Sequence, residues 1–298
     1  MATLRDIKNR IGSVHSTRQI TRTMEMVATA KLKKAQTRIE NARPYALAMA
    51  EVLGNVVRYV GDIEHPLLEV REERRRVCII SIVSDRGFAG AFNSNIIRMT
   101  ETALADYAEQ GIETELITTG KKLLGYFRYR GVEPAISLTG NSDKPSYAEA
   151  RSIAAHVMRE YAAGEVDAVY VLFNRFKNVA DQVPETHQLL PIEQTVLEQA
   201  EADVAARGRN LEYLFEPSSS EVLTNLLPTY VEALIYRSML ESAAAEQGAR
   251  RSAMKSATDN ASDMITTLTR SYNRARQDAI STEIAEIVGG AAAQEDQG

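Results

Sequence analysis

The chain has 298 residues, 44% of them hydrophobic, and a formal net charge of −5, which fits a globular protein of one or two domains. Its apolar runs are short, and none approaches the ~20 residues that a membrane-spanning helix needs. The polar N-terminus lacks the apolar core of a signal peptide, and a lone cysteine, Cys78, excludes an internal disulfide. We therefore expect a reducing, cytoplasmic setting.

Positive charge is concentrated in the first 43 residues, where ten lysines and arginines outnumber three acidic residues. A basic segment on an otherwise acidic protein indicates an anionic partner. The segment lacks the interleaved aromatic residues that stack on bases, which argues against nucleic acid. A solvated helix face would explain the same charge equally well.

Residues 1–60 are predicted to form one long helix, because apolar residues recur in a seven-residue register. One position of the repeat is occupied by Leu4, Ile11, Arg18, Glu25, Leu32, Ile39, Ala46, Leu53 and Val60, and the other by Ile7, Val14, Thr21, Ala28, Ala35, Ala42, Met49 and Val56. An average spacing of about 3.5 residues predicts a left-handed coiled coil. Pro44 is expected to bend the helix locally.

A second apolar face interrupts this pattern. The seam turns polar near Thr21, and an apolar patch appears on another face, formed by Ile20, Met24 and Val27. A helix with two apolar faces needs two different neighbours. The patch either packs on the chain's own domain or contacts a separate partner, and the basic residues that begin at Lys31 favour a partner.

The segment 75–190 alternates between strand and helix patterns, which predicts a central Rossmann-like α/β domain with a mainly parallel sheet. Strands are predicted at 77–83, 114–119, 133–138, 166–173 and, at an edge of the sheet, 182–190, with helices at 94–110, 121–130 and 146–163. The acidic residues 191–217 are interpreted as a surface connection.

A glycine-containing turn, Gly87–Asn93, follows the first predicted strand, and such a turn before a helix can bind phosphate. It does not match G-x-G-x-x-G, and the chain contains no G-x-x-x-x-G-K-[ST]. We interpret Asp85, Arg86, Gly87 and Gly90 as a structural turn in which Asp85 pairs with Arg86. A nucleotide site is the alternative.

No catalytic pattern stands out elsewhere in the sequence. The four histidines lack metal-ligand spacing, and there is no G-x-S-x-G nucleophile motif. We therefore predict no catalytic, cofactor-binding or metal-binding residues, although an enzyme is unsupported rather than excluded.

Residues 218–288 are predicted to form a second long helix. It begins at the capping-box sequence Ser218–Glu221 and is expected to kink at Pro228 and to end before Gly289, leaving 289–298 as a flexible tail. Small residues dominate between Ser242 and Ser262, so another helix or an enclosing wall can approach closely.

Helices at both chain ends predict a long antiparallel coiled coil beside the α/β domain. This arrangement suits a shaft that works within a larger assembly.

Four segments resemble the gamma-subunit family of F-type ATP synthases, end to end and in order. They are Ile20–Ala28, Ser84–Asn93, Ala253–Asn260 and Tyr272–Ile284. The resemblance implies that the terminal helices form a rotor shaft inside a ring of three alpha and three beta subunits. It also implies that the α/β domain contacts the epsilon subunit and the membrane c-ring, and that the catalytic residues belong to beta. The implied role is mechanical coupling of proton flow to ATP synthesis. The resemblance also implies that the chain regulates ATPase activity and proton flow.

The resemblance also implies contact positions. Met24 resembles a shaft residue near the acidic lever loop of beta, and Arg250 a basic residue on the opposing helix. Positions near the beta catch loop and the sleeve around the shaft are matched by Arg276, Gln277, Ser281 and Glu283.

The sequence differs from some members of the family, and these differences indicate which type of ATP synthase it resembles. Ala89 stands where many relatives carry cysteine, and the paired regulatory cysteines of the chloroplast form are missing with their insertion. The family motif starts near residue 3, so we expect no transit peptide and a bacterial complex, peripheral on the cytoplasmic face of the cell membrane. The alternatives are a stand-alone nucleotide-binding α/β protein and a scaffold with a basic helical arm.

Overall fold

The computed structural model describes residues 3–59, 65–71, 73–192, 216 and 218–295. The chain divides into two compact units. Unit 1 comprises Met1–Val27 and Arg251–Gly298, and unit 2 comprises Ala28–Arg250. Both long terminal helices contribute residues to each unit. Within the described residues, no helix combines the length and the apolar character needed to cross a membrane.

The elements follow the predicted order of a long helix, an alternating α/β middle and a second long helix. In chain order they are α1 (Leu4–Tyr59), a 3-10 turn (Pro66–Leu68), β1 (Arg76–Ile82), α2 (Phe92–Glu109), β2 (Glu113–Thr119), α3 (Lys121–Tyr129), β3 (Ile136–Leu138), α4 (Tyr147–Ala162), β4 (Ala168–Phe176), β5 (Gln182–Leu190) and α5 (Ser219–Glu295).

The five strands form one sheet in the order β3-β2-β1-β4-β5. β1 pairs in parallel with β2 and β4, and β2 pairs in parallel with β3. β5 runs antiparallel to β4 at the edge of the sheet, where Pro184 is tolerated because an edge strand needs fewer backbone donors. The predicted mainly parallel sheet with 182–190 at its edge is confirmed, and the structure adds that this edge strand is antiparallel. β3 is shorter than predicted because Pro134, within the expected strand, has no N–H to donate.

The sheet is buried on both faces, as a parallel sheet requires. Cys78 and Ile80 of β1 belong to an apolar cluster that includes side chains of α1, α4 and α5. Val77 and Ile79, which point to the other face, belong to a cluster with side chains of α2 and α3. The alternation along β1 therefore divides one continuous apolar strand between two cores.

The seven-residue register of α1 is visible in its burial. Every register position from Leu4 to Ala42 is buried or half-buried. In unit 2, Leu32 clusters with Ala244 of α5, while Leu53 lies in a cluster with Leu223. Rising numbers on α1 thus pair with falling numbers on α5, so the helices are antiparallel in this unit.

In unit 1 the polar part of the seam is paired across the two helices. Thr258 Oγ1 donates a hydrogen bond of 2.8 Å to Thr21 Oγ1, and Thr21 is only 8% exposed. A buried hydroxyl is therefore satisfied at the point where the apolar register is interrupted.

The end of the second long helix differs from the prediction, whereas the prolines of both long helices lie within them. Pro44 and Pro228 lie inside α1 and α5, which continue through them. α5 also continues past Gly289 and Gly290 to Glu295, because glycine costs a helix only about 1 kcal/mol relative to alanine and alanines follow. The predicted end at 288 is therefore wrong, and 296–298 lie outside the described residues.

The predicted surface connection at 191–217 does not begin at the surface. Ile192 is 3% exposed, and its N–H donates to the carbonyl of Leu67 at 3.0 Å. The rest of that connection, 193–215 and 217, lies outside the described residues.

Gly120, between β2 and α3, is predicted to be irreplaceable. Its φ is +96°, and an added Cβ would lie 2.4 Å from the carbonyl oxygen of Val83. We expect Gly120→Ala to lower the free energy of unfolding by roughly 2–4 kcal/mol, since left-handed strain and overpacking add together. Urea unfolding followed by circular dichroism would measure it.

Gly131→Ala is the matched control, because φ is +78° but an added Cβ meets nothing within 4 Å. The expected loss there is only about 1–2 kcal/mol. Equal losses at the two positions would contradict the close approach at Gly120.

Candidate functional site

Open α/β sheets bind ligands beyond the carboxyl ends of their strands, where the strand order reverses. Here the order reverses between β1 and β4. The turn after β1 supplies Ala89 and Phe92, which cluster with Ala245 and Ala249 of α5 and with Phe176 at the end of β4. The position that receives a nucleotide in related folds is therefore occupied by the C-terminal helix.

The part of α5 that lies there is buried on all sides. Every residue from Ser238 to Arg250 is buried, which a helix achieves only when neighbours surround it. Gly248 shows how close they are, since a Cβ there would lie 3.2 Å from both Phe176 Cε2 and Gln182 Nε2. The expectation that small residues permit close approach holds for this part of the predicted segment.

The turn after β1 is fixed by side chains at its two ends. Asn93 Oδ1 accepts hydrogen bonds from Ser84 N at 3.0 Å and from Ser84 Oγ at 2.9 Å. Asn93 Nδ2 donates to the carbonyl of Arg86. Two residues in the turn have positive φ, Phe88 at 62° and Gly90 at 56°. A structural turn, as predicted, fits this network, and Gly90 supplies one left-handed position at no steric cost.

Asp85 braces the turn, but its partner is not Arg86 as predicted. Its Oδ1 accepts from the backbone N–H groups of Lys121 at 3.0 Å and Gly140 at 2.9 Å. Its Oδ2 accepts from Gly140 and Ser142. Burial alone would raise the pKa of Asp85, yet these backbone donors lower it below its usual value. Backbone N–H groups have fixed positions, and their hydrogen bonds to an ionised carboxylate are charge-assisted.

Arg250 lies in unit 2 and is bound within the chain. Its Nη1 donates to Glu246 Oε1 at 2.6 Å, and its Nη2 donates to the carbonyl of Gly87 at 3.0 Å. Both side chains are nearly inaccessible, at 10% and 3% exposure. Burial raises the pKa of Glu246, and the adjacent guanidinium opposes that increase. The residue matched to a contact position in the family thus connects α5 to the turn.

A third contact joins α1 to the domain within unit 2. Lys31 Nζ lies 2.5 Å from Asp143 Oδ2, and Arg38 Nη1 donates to the backbone carbonyl of Asp143 at 3.2 Å. The basic residues near Lys31 are evident in the sequence, whereas nothing in the local sequence of Asp143 distinguishes it from other surface acids.

Met24 and its apolar neighbours lie in unit 1. Met24 is half-buried, whereas Ile20 and Val27 are 60% and 51% exposed. Two of the three patch residues are therefore mostly exposed.

The other four predicted contact residues lie near the end of α5, also in unit 1. All are exposed, and they are Arg276, Gln277, Ser281 and Glu283. Ile280, Ile284 and Ile287, between and beyond them, are 47%, 56% and 66% exposed. An exposed apolar row at a helix end indicates an interaction surface.

Among the described residues, the free cysteine is buried and no metal-binding cluster is assembled. Cys78 is 1% exposed, and burial raises the pKa of its thiol far above the neutral range. No group of three or more His, Cys, Asp or Glu side chains is placed to bind a metal in the part of the chain that the structure describes. His156 contacts Glu115 at 2.7 Å and accepts from Arg159 at 3.0 Å, a polar chain that sequence analysis missed.

Comparison with known proteins gives end-to-end matches. The ATP synthase family model covers residues 3–294. The ATP synthase gamma chain of Pelotomaculum thermopropionicum is 48% identical over 295 residues, covering 99% of this chain and 100% of that protein. The gamma chain of Desulfitobacterium hafniense is 45% identical with the same coverage.

Solved structures of ATP synthases also contain chains similar to this one. The central stalk and c-ring structure of Tetrahymena thermophila mitochondrial ATP synthase contains a chain with a TM-score of 0.59 and 25% identity, which covers 80% of this chain and 99% of that one. A chain of the Euglena gracilis mitochondrial ATP synthase has a TM-score of 0.65 at 17% identity, with 98% and 94% covered. The second match supports the fold alone.

The Arg250–Glu246 pair generates a prediction about stability. We expect Arg250→Met to lower the free energy of unfolding by about 3–5 kcal/mol, because it leaves a buried carboxylate without its partner. Arg250→Met combined with Glu246→Met should restore much of that loss, since no charge then remains buried. Urea unfolding of the three proteins would measure it. A double variant no more stable than the single one would contradict the pairing.

Proposed function

The chain belongs to the ATP synthase gamma-chain family, and we propose that it is the central shaft of the F1 sector, coupling transmembrane proton flow to ATP synthesis by rotating inside the alpha3beta3 ring. In the reverse direction ATP hydrolysis would drive proton pumping through the same shaft. The observation that carries the proposal is the match to gamma chains at 45–48% identity over 99% of this chain. A match that includes both long helices and the domain transfers the role of the whole subunit.

The chain is a subunit of ATP synthase, and we propose that it is not the catalytic one. The crevice beyond β1 and β4 is filled by Ala245 and Ala249 of α5, so a nucleotide would have to displace a buried helix. Catalytic residues on beta account for the chemistry without any from this chain. The stand-alone nucleotide-binding alternative is disfavoured for the same steric reason.

The exposed surfaces of unit 1 support the proposed partners. Ile20 and Val27 on α1, and Ile284 on α5, expose apolar side chains that a ring of alpha and beta subunits would cover. The α/β domain would contact epsilon and the c-ring. The chain would then be a peripheral part of a membrane-bound complex, on the cytoplasmic face of the bacterial membrane.

The contact residues are proposed individually. Met24 and the exposed residues Arg276, Gln277, Ser281 and Glu283 would contact beta directly. Arg250 would act indirectly, because its guanidinium is bound to Glu246 and Gly87 and so determines the position of the turn against α5.

Gentle affinity purification of the tagged chain from its own cells tests the proposal. We expect alpha, beta and epsilon subunits in stoichiometric amounts, and ATP hydrolysis by the purified complex. Recovery of the chain alone, with micromolar ATP affinity abolished by Gly87→Val, would instead support the nucleotide-binding alternative. Salt-sensitive recovery of nucleic acid would support the scaffold alternative.

Met24→Lys should damage coupling more than assembly. Met24 is half-buried on a basic helix, and a new cation there would form a charge-assisted bond to a passing carboxylate, worth roughly 1.5–3 kcal/mol. A shaft works only if no rotary position is bound much more tightly than the others. We expect normal incorporation and substantial ATP hydrolysis, but fewer protons pumped per ATP, increasingly so at higher temperature.

Met26→Lys is the control, because it adds the same charge two residues away at a 59% exposed position on a different side of the helix. A ratio of protons pumped to ATP hydrolysed that is unchanged in Met24→Lys across temperature would exclude the proposed contact.

A further inference from the structure

The loop between β3 and α4, residues 139–146, connects the α/β domain to α1. Asp143 on this loop lies 2.5 Å from Lys31 Nζ through its Oδ2. Arg38, seven residues after Lys31 and on the same side of the helix, donates to the backbone carbonyl of Asp143 at 3.2 Å. One loop residue therefore binds two positions about two turns apart on α1, one through its side chain and the other through its backbone.

The loop is itself attached to the centre of the sheet. Asp85, three residues after the end of the central strand β1, accepts hydrogen bonds from the backbone N–H groups of Gly140 and Ser142. Ser142 Oγ in turn accepts from Asp85 N at 3.0 Å. A short path of polar contacts thus leads from β1 through Asp85 and the loop to Asp143, and from there to α1.

A neighbouring side of α1 makes a different contact with the same domain. Leu32, Ala35 and Ile39 cluster with Phe176 at the end of β4 and with Val179 in the β4–β5 turn. At about 100° per residue, these positions lie some 40–100° around the helix from Lys31. The hydrophobic effect is non-directional, whereas the ion pair and the Arg38 hydrogen bond have preferred positions.

We propose that Lys31 and Asp143 form a latch that fixes the rotational position of α1 against the α/β domain, so that torque passes between the domain and this helix without slip. Asp143 is a positioning residue in this proposal, since it acts through α1 and contacts no nucleotide. The inference rests on the proposed shaft function and adds the point at which the helix is held.

The latch contributes little to the free energy of folding, and its main effect is on the rotational position of α1. Its side chains are 38% and 39% exposed, and such partly exposed pairs change an equilibrium constant only about two- to fivefold. The hydrogen bond from Lys31 lowers the pKa of Asp143, so the carboxylate stays ionised throughout the neutral range. A variant should therefore fold and assemble while losing its angular preference.

The test uses the complete ATP synthase in inverted membrane vesicles. ATP-driven proton pumping and ATP hydrolysis are measured together for the unsubstituted complex, Asp143→Asn, Lys31→Gln and the exchanged pair Lys31→Asp with Asp143→Lys. Lys33→Gln serves as the control, because it removes the same charge from an exposed position on the same helix. Immunoblotting measures the amount of assembled complex.

We expect the fraction of ATP hydrolysed without pumping to rise about two- to fivefold in each single variant, in proportion to the lost pair. The exchanged pair should recover most of the coupling, which a merely structural role for either residue would not produce. Lys33→Gln should pump normally. If Asp143→Asn does not assemble, the comparison of Lys31→Gln with the exchanged pair decides.

Two outcomes would overturn the latch, namely unchanged coupling in both single variants or no recovery in the exchanged pair. Either outcome counts against the latch only when the unsubstituted complex contains the chain and pumps protons. Absence of the chain from that complex would instead overturn the shaft function itself, so the two failures are distinguishable.

Discussion

The structure depends on one constraint, the burial of α5 on every side between Ser238 and Arg250. Small side chains, those of the alanines and Gly248, let neighbours approach the helix closely, and the charges of Arg250 and Glu246 are paired with each other. The strand ends, the turn after β1 and α1 are all positioned by what they pack against on this segment.

That constraint also explains why a nucleotide-binding type of fold supports a mechanical role. The crevice at the reversal of strand order is a ligand site in many doubly wound sheets. In this chain a helix of the same protein occupies it, with Phe176 and Ala89 in contact. The fold thus binds part of its own shaft where relatives of the architecture bind a cofactor, a reminder that function follows the site rather than the fold.

The parts of the fold that repeat could be predicted from sequence, whereas single long-range contacts could not. The 3.5-residue register of α1 and the strand–helix alternation are periodic, so local pattern specifies them. Asp85 was assigned to the turn but paired with its neighbour Arg86, since sequence proximity was the available guide. Two of its actual partners, Gly140 and Ser142, come from a loop more than fifty residues away, which only the assembled sheet brings near.

In the candidate site, too, some features could be predicted from the sequence and others could not. Exposure of Ile20 and Val27 followed from the second apolar face of α1. Burial of Arg250 could not be predicted in the same way. Arginine and glutamate in a helix are ordinarily exposed to solvent, so neither Arg250 nor its partner Glu246 stands out in the sequence. The late end of α5 was missed for a further reason, since two glycines weaken a helix without ending it.

The contribution of α5 to the sheet's apolar core has a consequence for synthesis of the chain. One face of the sheet clusters with Leu227 and Val231 of α5 as well as with Leu53 of α1. During translation the strands emerge well before this last helix, so that face has no complete cover until nearly the whole chain has left the ribosome. The domain cannot finish folding from its own segment, and its contacts span almost the full length of the sequence. Slow maturation and a need for protection of the nascent sheet follow from that topology.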